Sequence, residues 1–218
     1  MERVGRRPER IGIVGGTFDP PHYAHLILAE HAREELDLDR VLFVPAGQPP
    51  HKDSTRTPVE HRLAMLRLAT ADNPAFEISR VDIDRSPPHY SVDMVRILRD
   101  QYPAARLYFI MGEDSFRDLP TWKNPLAMVE HEVVQLAVMC RPGIDDGEPT
   151  TAPAMHEAVL PGLAQHVTML ASRMVEISST DIVRRLKEGK SVHYLLPEAV
   201  LTYIVEHHLY RLKSEIIE

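Results

Sequence analysis

The chain has 218 residues, enough for one substantial domain with a full hydrophobic core rather than two small ones. With 44% hydrophobic and 26% charged residues it has the balance of a globular protein, and a net charge of -7 leaves no basic excess for broad binding to nucleic acid. The single cysteine, Cys140, rules out a disulfide framework within the chain, and no apolar run reaches membrane-spanning length; the charged start MERVGRRPER lacks the apolar segment of a signal peptide, so a cytoplasmic protein is expected.

Strand-like and helix-like stretches alternate along the chain. RIGIVG (10–15) reads as a short buried strand, followed by helical spacing over 21–36 and a second strand, RVLFVPA (40–46). A Pro-rich loop, GQPPHKDSTRTP, leads to a helix over 57–72, with Thr57 ahead of Pro58 as its cap. FEISRVDID (76–84) alternates with period two, as a strand with one wetter face does. A helix over 91–101, the strand RLYFIMG (106–112), a Trp-containing helical stretch and the strand EVVQLAVMCRP follow. GIDDGEPTTAPA (143–154) has the composition of a surface loop. A last strand is expected to end at MVEIS (174–178), before helices over 179–188 and 197–207. This order predicts an α/β fold, a Rossmann-like, mainly parallel sheet with helices on both faces and right-handed crossovers.

In such a sheet, ligands bind beyond the carboxyl ends of the strands, where the next helix points its amino terminus at the site. Gly15 and Gly16 stand there after the first strand, and glycine admits a ligand close to the backbone. Thr17 adds a hydroxyl, and a helix starting near Pro21 would aim free N–H groups and its positive dipole end at an anion. The pattern lacks the third spaced glycine of a dinucleotide fingerprint and the Gly-Lys-Ser/Thr of a Walker loop; on the glycines alone a plain tight turn is the better reading. His22 and His25, three residues apart, project from neighbouring positions on one helix face. Zinc would need a further ligand at a suitable spacing, and Cys140 stands alone. Two donors at the mouth of a phosphate-binding turn make better chemistry, because they can hydrogen-bond a phosphoryl group and stabilise charge that develops on it.

GGTFDPPHYAH resembles the signature of the nucleotidyltransferase superfamily, whose core reads His-x-Gly-His; here Ala24 replaces the glycine. Six further stretches follow in order: PAGQPPHK (45–52), HYSVDM (89–94), MGEDSFRDLPTWKNP (111–125), CRPG (140–143), EISSTDIVRRL (176–186) and YLLPEAVLTYIVEHHLY (194–210). Together they resemble the bacterial nicotinate-nucleotide adenylyltransferases. The resemblance implies one nucleotidyltransferase domain over 11–210, between a basic amino-terminal extension (1–10) and a carboxyl-terminal tail (211–218). It implies transfer of AMP from ATP to nicotinate mononucleotide, giving nicotinate adenine dinucleotide and pyrophosphate. His22 and His25 would be catalytic. Gly15, Gly16, Thr17, Phe18, Asp114, Arg141, Ile177, Ser178, Ser179, Thr180 and Arg184 would bind ATP, and Asp19, Lys52, Ser91, Trp122 and Lys123 would bind nicotinate mononucleotide. Mg2+ would arrive with ATP, without a metal site of the protein's own. ATP and nicotinate mononucleotide are thus the expected partners, with no nucleic acid and no membrane, and a homo-oligomer is left open. Transfer to another phosphorylated acceptor, such as nicotinamide mononucleotide or phosphopantetheine, and a silent nucleotide-binding sensor stand as the alternatives.

Several of these residues also have a reading of their own. Trp122 lies between prolines and polar residues, a poor context for a core aromatic, and the family role of stacking on the pyridine ring suits a flat side chain. Lys52, in a Pro-rich loop, is a solvated lysine or a point charge for a phosphate. Asp114, just past a strand, would accept ribose hydroxyls or serve as a helix amino-terminal acid. Ser91 keeps the hydroxyl of the threonine usual in the family. Ser178 with Asp181 resembles a capping box, and Gly189 would close that helix. The family pattern places arginine at the position of Val183, so Arg184 or Lys187 is expected to supply the missing charge.

Overall fold

Six apolar runs pair side by side in the computed structural model, which describes residues 7–48, 57–130, 133–139, 152–171 and 175–210. They are β1 (Arg10–Gly16), β2 (Arg40–Pro45), β3 (Phe76–Ile78), β4 (Arg106–Gly112), β5 (Gln135–Met139) and β6 (Val167–Leu170). Every neighbouring pair is parallel and the spatial order is β3-β2-β1-β4-β5-β6. The helices are α1 (Tyr23–Glu35), α2 (Val59–Thr70), α3 (Ser91–Gln101), α4 (Glu113–Arg117), α5 (Leu126–Val129), α6 (Ser179–Lys187) and α7 (Glu198–Glu206). The order runs outward from β1 in one direction and from β4 in the other, which opens a crevice at their carboxyl ends.

The strands are apolar on both faces because both are covered. Ile11, Ile13, Leu42, Val44, Leu107, Phe109 and Met111 face a core completed by α3 and α5. The alternate residues Val14, Val41, Phe43, Tyr108 and Ile110 pack with Leu28, Ala29 and Ala32 of α1. A third apolar cluster joins Met65 and Ala69 of α2 to Ile182 and Leu186 of α6 and to Val200 and Ile204 of α7.

Four expected features take a different form. The strand expected over 76–84 stops at Ile78, where Arg80 forks onto Asp84 and its carbonyl accepts the amides of Ile83 and Asp84, folding the chain into turns. The last strand lies at Val167–Leu170, and residues 175–178 have no regular structure before α6. The Trp-containing stretch is not one helix. It divides into α4, a 3-10 turn over Leu119–Thr121 and α5, with Pro120 and Pro125 at the breaks. Thr57 does not cap α2; it is buried, and its carbonyl accepts a bond from Arg62 Nε at 3.3 Å.

Candidate active site

A cavity of about 420 Å³ opens where β1 and β4 end. Gly15, Gly16, Thr17, His25, Ser91, Trp122 and Lys123 line it, together with Asp82, His89 and Ser115. One side of the cavity is built from the turn between β1 and α1. Phe18 adopts a left-handed backbone (φ 51°) and buries its ring edge-on against His25, with centroids 5.0 Å apart. A Cβ on Gly16 would sit 3.1–3.3 Å from that ring, so a side chain there would push the Phe18 ring aside by a few tenths of an ångström.

His22 is the residue that caps α1, and His25 is the third residue inside it. The His22 amide donates to His25 Nδ1 at 3.2 Å, and the two rings stack with centroids 3.7 Å apart. This fixes the tautomer of His25: an Nδ1 that accepts leaves the proton on Nε2, a donor for the cavity. Burial lowers the His22 pKa to about 4, and burial with the neighbouring His22 holds His25 well below its ordinary value. Both imidazoles are therefore neutral at pH 7. Buried His22 Nδ1 has no hydrogen-bond partner.

The amino end of α6 closes against this turn. Ser178 Oγ accepts from the Asp181 amide at 3.2 Å, as its sequence spacing suggests, and the Ser179 hydroxyl donates to the Pro20 carbonyl at 2.8 Å. Gly189, at φ 71°, ends the helix with its amide on the Leu186 carbonyl. Ile177 is half-buried and Thr180 exposed beside them. Asp114, the second residue of α4, is half-buried next to the cavity-lining Ser115. Asp19 does not line the cavity; it is buried behind the turn, where Oδ1 accepts from the Tyr210 hydroxyl at 2.7 Å. Lys52 and Arg141 lie outside the described residues.

The opposite wall depends on side chains that the sequence pattern does not single out. Arg85 donates from Nε to Asp82 Oδ1 at 2.7 Å, from Nη1 to the Pro88 carbonyl at 2.9 Å and from Nη2 to the Tyr90 carbonyl at 3.0 Å. It thereby shapes the loop that leads to Ser91 at the start of α3. Burial raises the Asp82 carboxyl above its usual range, against the opposing pull of Arg85. His89 Nδ1 accepts from the Gln48 amide at 2.9 Å, and Nε2 meets the Arg85 carbonyl at 3.0 Å. Trp122 is half-buried, edge-on to Phe109 at 6.0 Å, with exposed Lys123 beside it.

Residues 13–185 match the cytidylyltransferase-like family. A protein of Thermomicrobium roseum named as a nicotinate-nucleotide adenylyltransferase is 48% identical over 93% of this chain and 92% of its own length. One from Thermus thermophilus with the same designation is 46% identical over 93% of this chain and all of its own. The chain belongs to the nicotinate-nucleotide adenylyltransferase family. The fold agrees with the nicotinic acid mononucleotide adenylyltransferase of Plasmodium falciparum complexed with NaAD, at a TM-score of 0.76 and 17% identity over 95% of this chain and 100% of that one.

Besides Ser91, two positions depart from the family pattern, and both have clear surroundings. Ala24 is the second residue of α1, where a methyl group favours the helix over glycine. Val183 is buried in α6, while Arg184 beside it is exposed and ion-paired with Asp181 and Glu188. Lys187 is exposed on the last turn of the same helix.

Proposed function

We propose that the protein transfers AMP from ATP to nicotinate mononucleotide, releasing pyrophosphate and forming nicotinate adenine dinucleotide. The observation that carries this reading is the neutral His25 donor at the phosphate turn, facing a cavity whose far side holds Trp122 and Ser91. The acceptor's phosphate attacks the α-phosphorus in line. A new P–O bond forms, the bond from the α-phosphorus to the bridging oxygen breaks, and pyrophosphate leaves with that electron pair. The attacking oxygen is already anionic, so no general base is needed, and catalysis consists of positioning and stabilising charge.

The main-chain amides of Gly15 to Phe18 and the amino end of α6, at Ile177 to Thr180, supply donors for the ATP phosphates. Asp114 serves the ribose, and Arg141, Arg184 or Lys187 adds positive charge. On the acceptor side Trp122 stacks on the pyridine ring, Ser91 and Lys123 supply polar contacts, and Lys52 meets the phosphate. Magnesium carried with ATP would neutralise phosphate charge. Among the described residues no group of three His, Cys, Asp or Glu side chains could hold a metal ion.

Pyrophosphate release with ATP, magnesium and one acceptor at a time tests the reading. Release with nicotinate mononucleotide is expected to exceed that with nicotinamide mononucleotide or phosphopantetheine. Release only with one of the others would assign a different acceptor, and none with any would leave a nucleotide sensor.

A further inference from the structure

Among the described residues, the largest fully buried side chain is a cation. Arg62, on α2, is 0% exposed, yet it belongs neither to the phosphate turn nor to the acceptor wall. Its Nη1 donates to the Thr17 carbonyl at 2.8 Å, its Nη2 to the Gly47 carbonyl at 3.0 Å and its Nε to the Thr57 carbonyl at 3.3 Å. Thr17 is in the turn after β1 that carries the histidines, and Gly47 follows β2. A Cβ on Gly47 would lie 2.7 Å from the Asp82 carbonyl and 2.9 Å from the His89 ring, so Gly47 is wedged against the acceptor wall. One planar fork therefore spans the two sides of the cavity from behind. Asp19, held by Tyr210, contributes the negative charge that offsets the cost of burying the guanidinium.

We infer that Arg62 is a positioning residue for adenylyl transfer, which fixes the phosphate turn at Thr17 relative to the acceptor wall at Gly47. The role needs a rigid fork rather than a charge alone: lysine can reach one or two of three separated carbonyls, whereas guanidinium reaches all three in one plane. It acts through geometry. An error of about 1 Å between reacting groups costs about a hundredfold in rate.

The inference rests on the adenylyl-transfer reading, and the experiment separates the two. Wild type, Arg62→Lys and Arg62→Met are compared for kcat and both KM values, each corrected for the folded fraction from a thermal melt. Amide exchange is followed in parallel over 15–22 and 46–48 and over the central strands. For Arg62→Met we expect kcat per folded molecule to fall about a hundredfold while each KM moves less than about fivefold. Arg62→Lys is expected to recover much of the melting temperature but little of the kcat. Exchange should quicken at the two loops and not in β1 or β4. A kcat for Arg62→Met within twofold of wild type overturns the inference, as does full rescue by lysine. If wild type itself transfers AMP to no acceptor, the functional reading fails, and the exchange result then decides: loops protected as in wild type overturn the positioning role, and selective loss of their protection supports it.

Discussion

The two walls of the cavity are made by opposite means. In the proposed reaction the phosphate wall comes from one connection, with Gly15, Gly16, Thr17 and His25 lining the cavity, and its chemistry comes from main-chain amides and a neutral pair of imidazoles. The acceptor wall gathers pieces from three connections and is held by charged side chains, with Arg85 forked onto Asp82 and two carbonyls. A wall of fixed neutral donors can stabilise a charge that appears only in the transition state, since nothing has to reorganise. A wall of side-chain networks would instead select which molecule enters. Damage to the first should therefore fall on kcat, and damage to the second on the acceptor's KM.

The largest effect is expected at the first wall. His25→Ala removes the Nε2 donor and should lower kcat by about two to four orders of magnitude; near-normal turnover in the purified variant would take His25 off the catalytic list. Next comes the second wall. Arg85→Met should raise the acceptor's KM about tenfold, leaving the ATP value near wild type, and a change confined to kcat would erase the distinction between the walls. Trp122→Ala should act in the same direction by about three- to tenfold, read from the same titration. The smallest kinetic effect belongs to Arg184→Ala. Its charge is exposed and shared with Asp181 and Glu188, so a rise of about threefold in the KM for ATP is expected, with Lys187→Ala as its companion; no change in either would remove both as replacements for the arginine absent at Val183.

Acid should separate the walls in a different way. His22 ordinarily titrates near 6.5 and is held at about 4 in the folded protein, so the unfolded chain takes up a proton that the folded one resists. The stability tied to this group is whole above pH 6.5 and lost as pH falls toward 4, amounting to about 2 kcal/mol at pH 5. Urea melts between pH 7 and 5 should show that loss, and the slope should flatten in His22→Asn. An unchanged slope would mean that His22 is not held neutral by burial.

How much of this is readable from the amino-acid order depends on whether the cause is local. β1, α1, β2, α3, β4, α6 and α7 follow from periodicity and caps within each segment, and the histidine pair from a spacing of three. The chain beyond Ile78 misleads because alternation persists while Arg80 and Asp84 pair four apart, in a turn. His89, Asp82 and Arg85 gain their roles only when the sheet brings the connections after β2 and β3 together, and no local spacing announces that. Arg62 did leave a trace. With Met65, Leu66 and Ala69 it falls at i, i+3, i+4 and i+7, a charge on an apolar stripe, and such a charge needs a buried partner.

The segment from Asp19 to Tyr23 is fastened by Ser179, Leu195 and Tyr210, through bonds to the Pro20 carbonyl, from the Tyr23 amide and to the Asp19 carboxylate. Among the described residues, by contrast, all six strands are complete by Leu170. On the ribosome, where chains emerge amino end first, the sheet can close while these three fasteners are still unmade. A nascent chain would thus acquire its architecture before its chemistry, with the histidines waiting for residues made after the last strand.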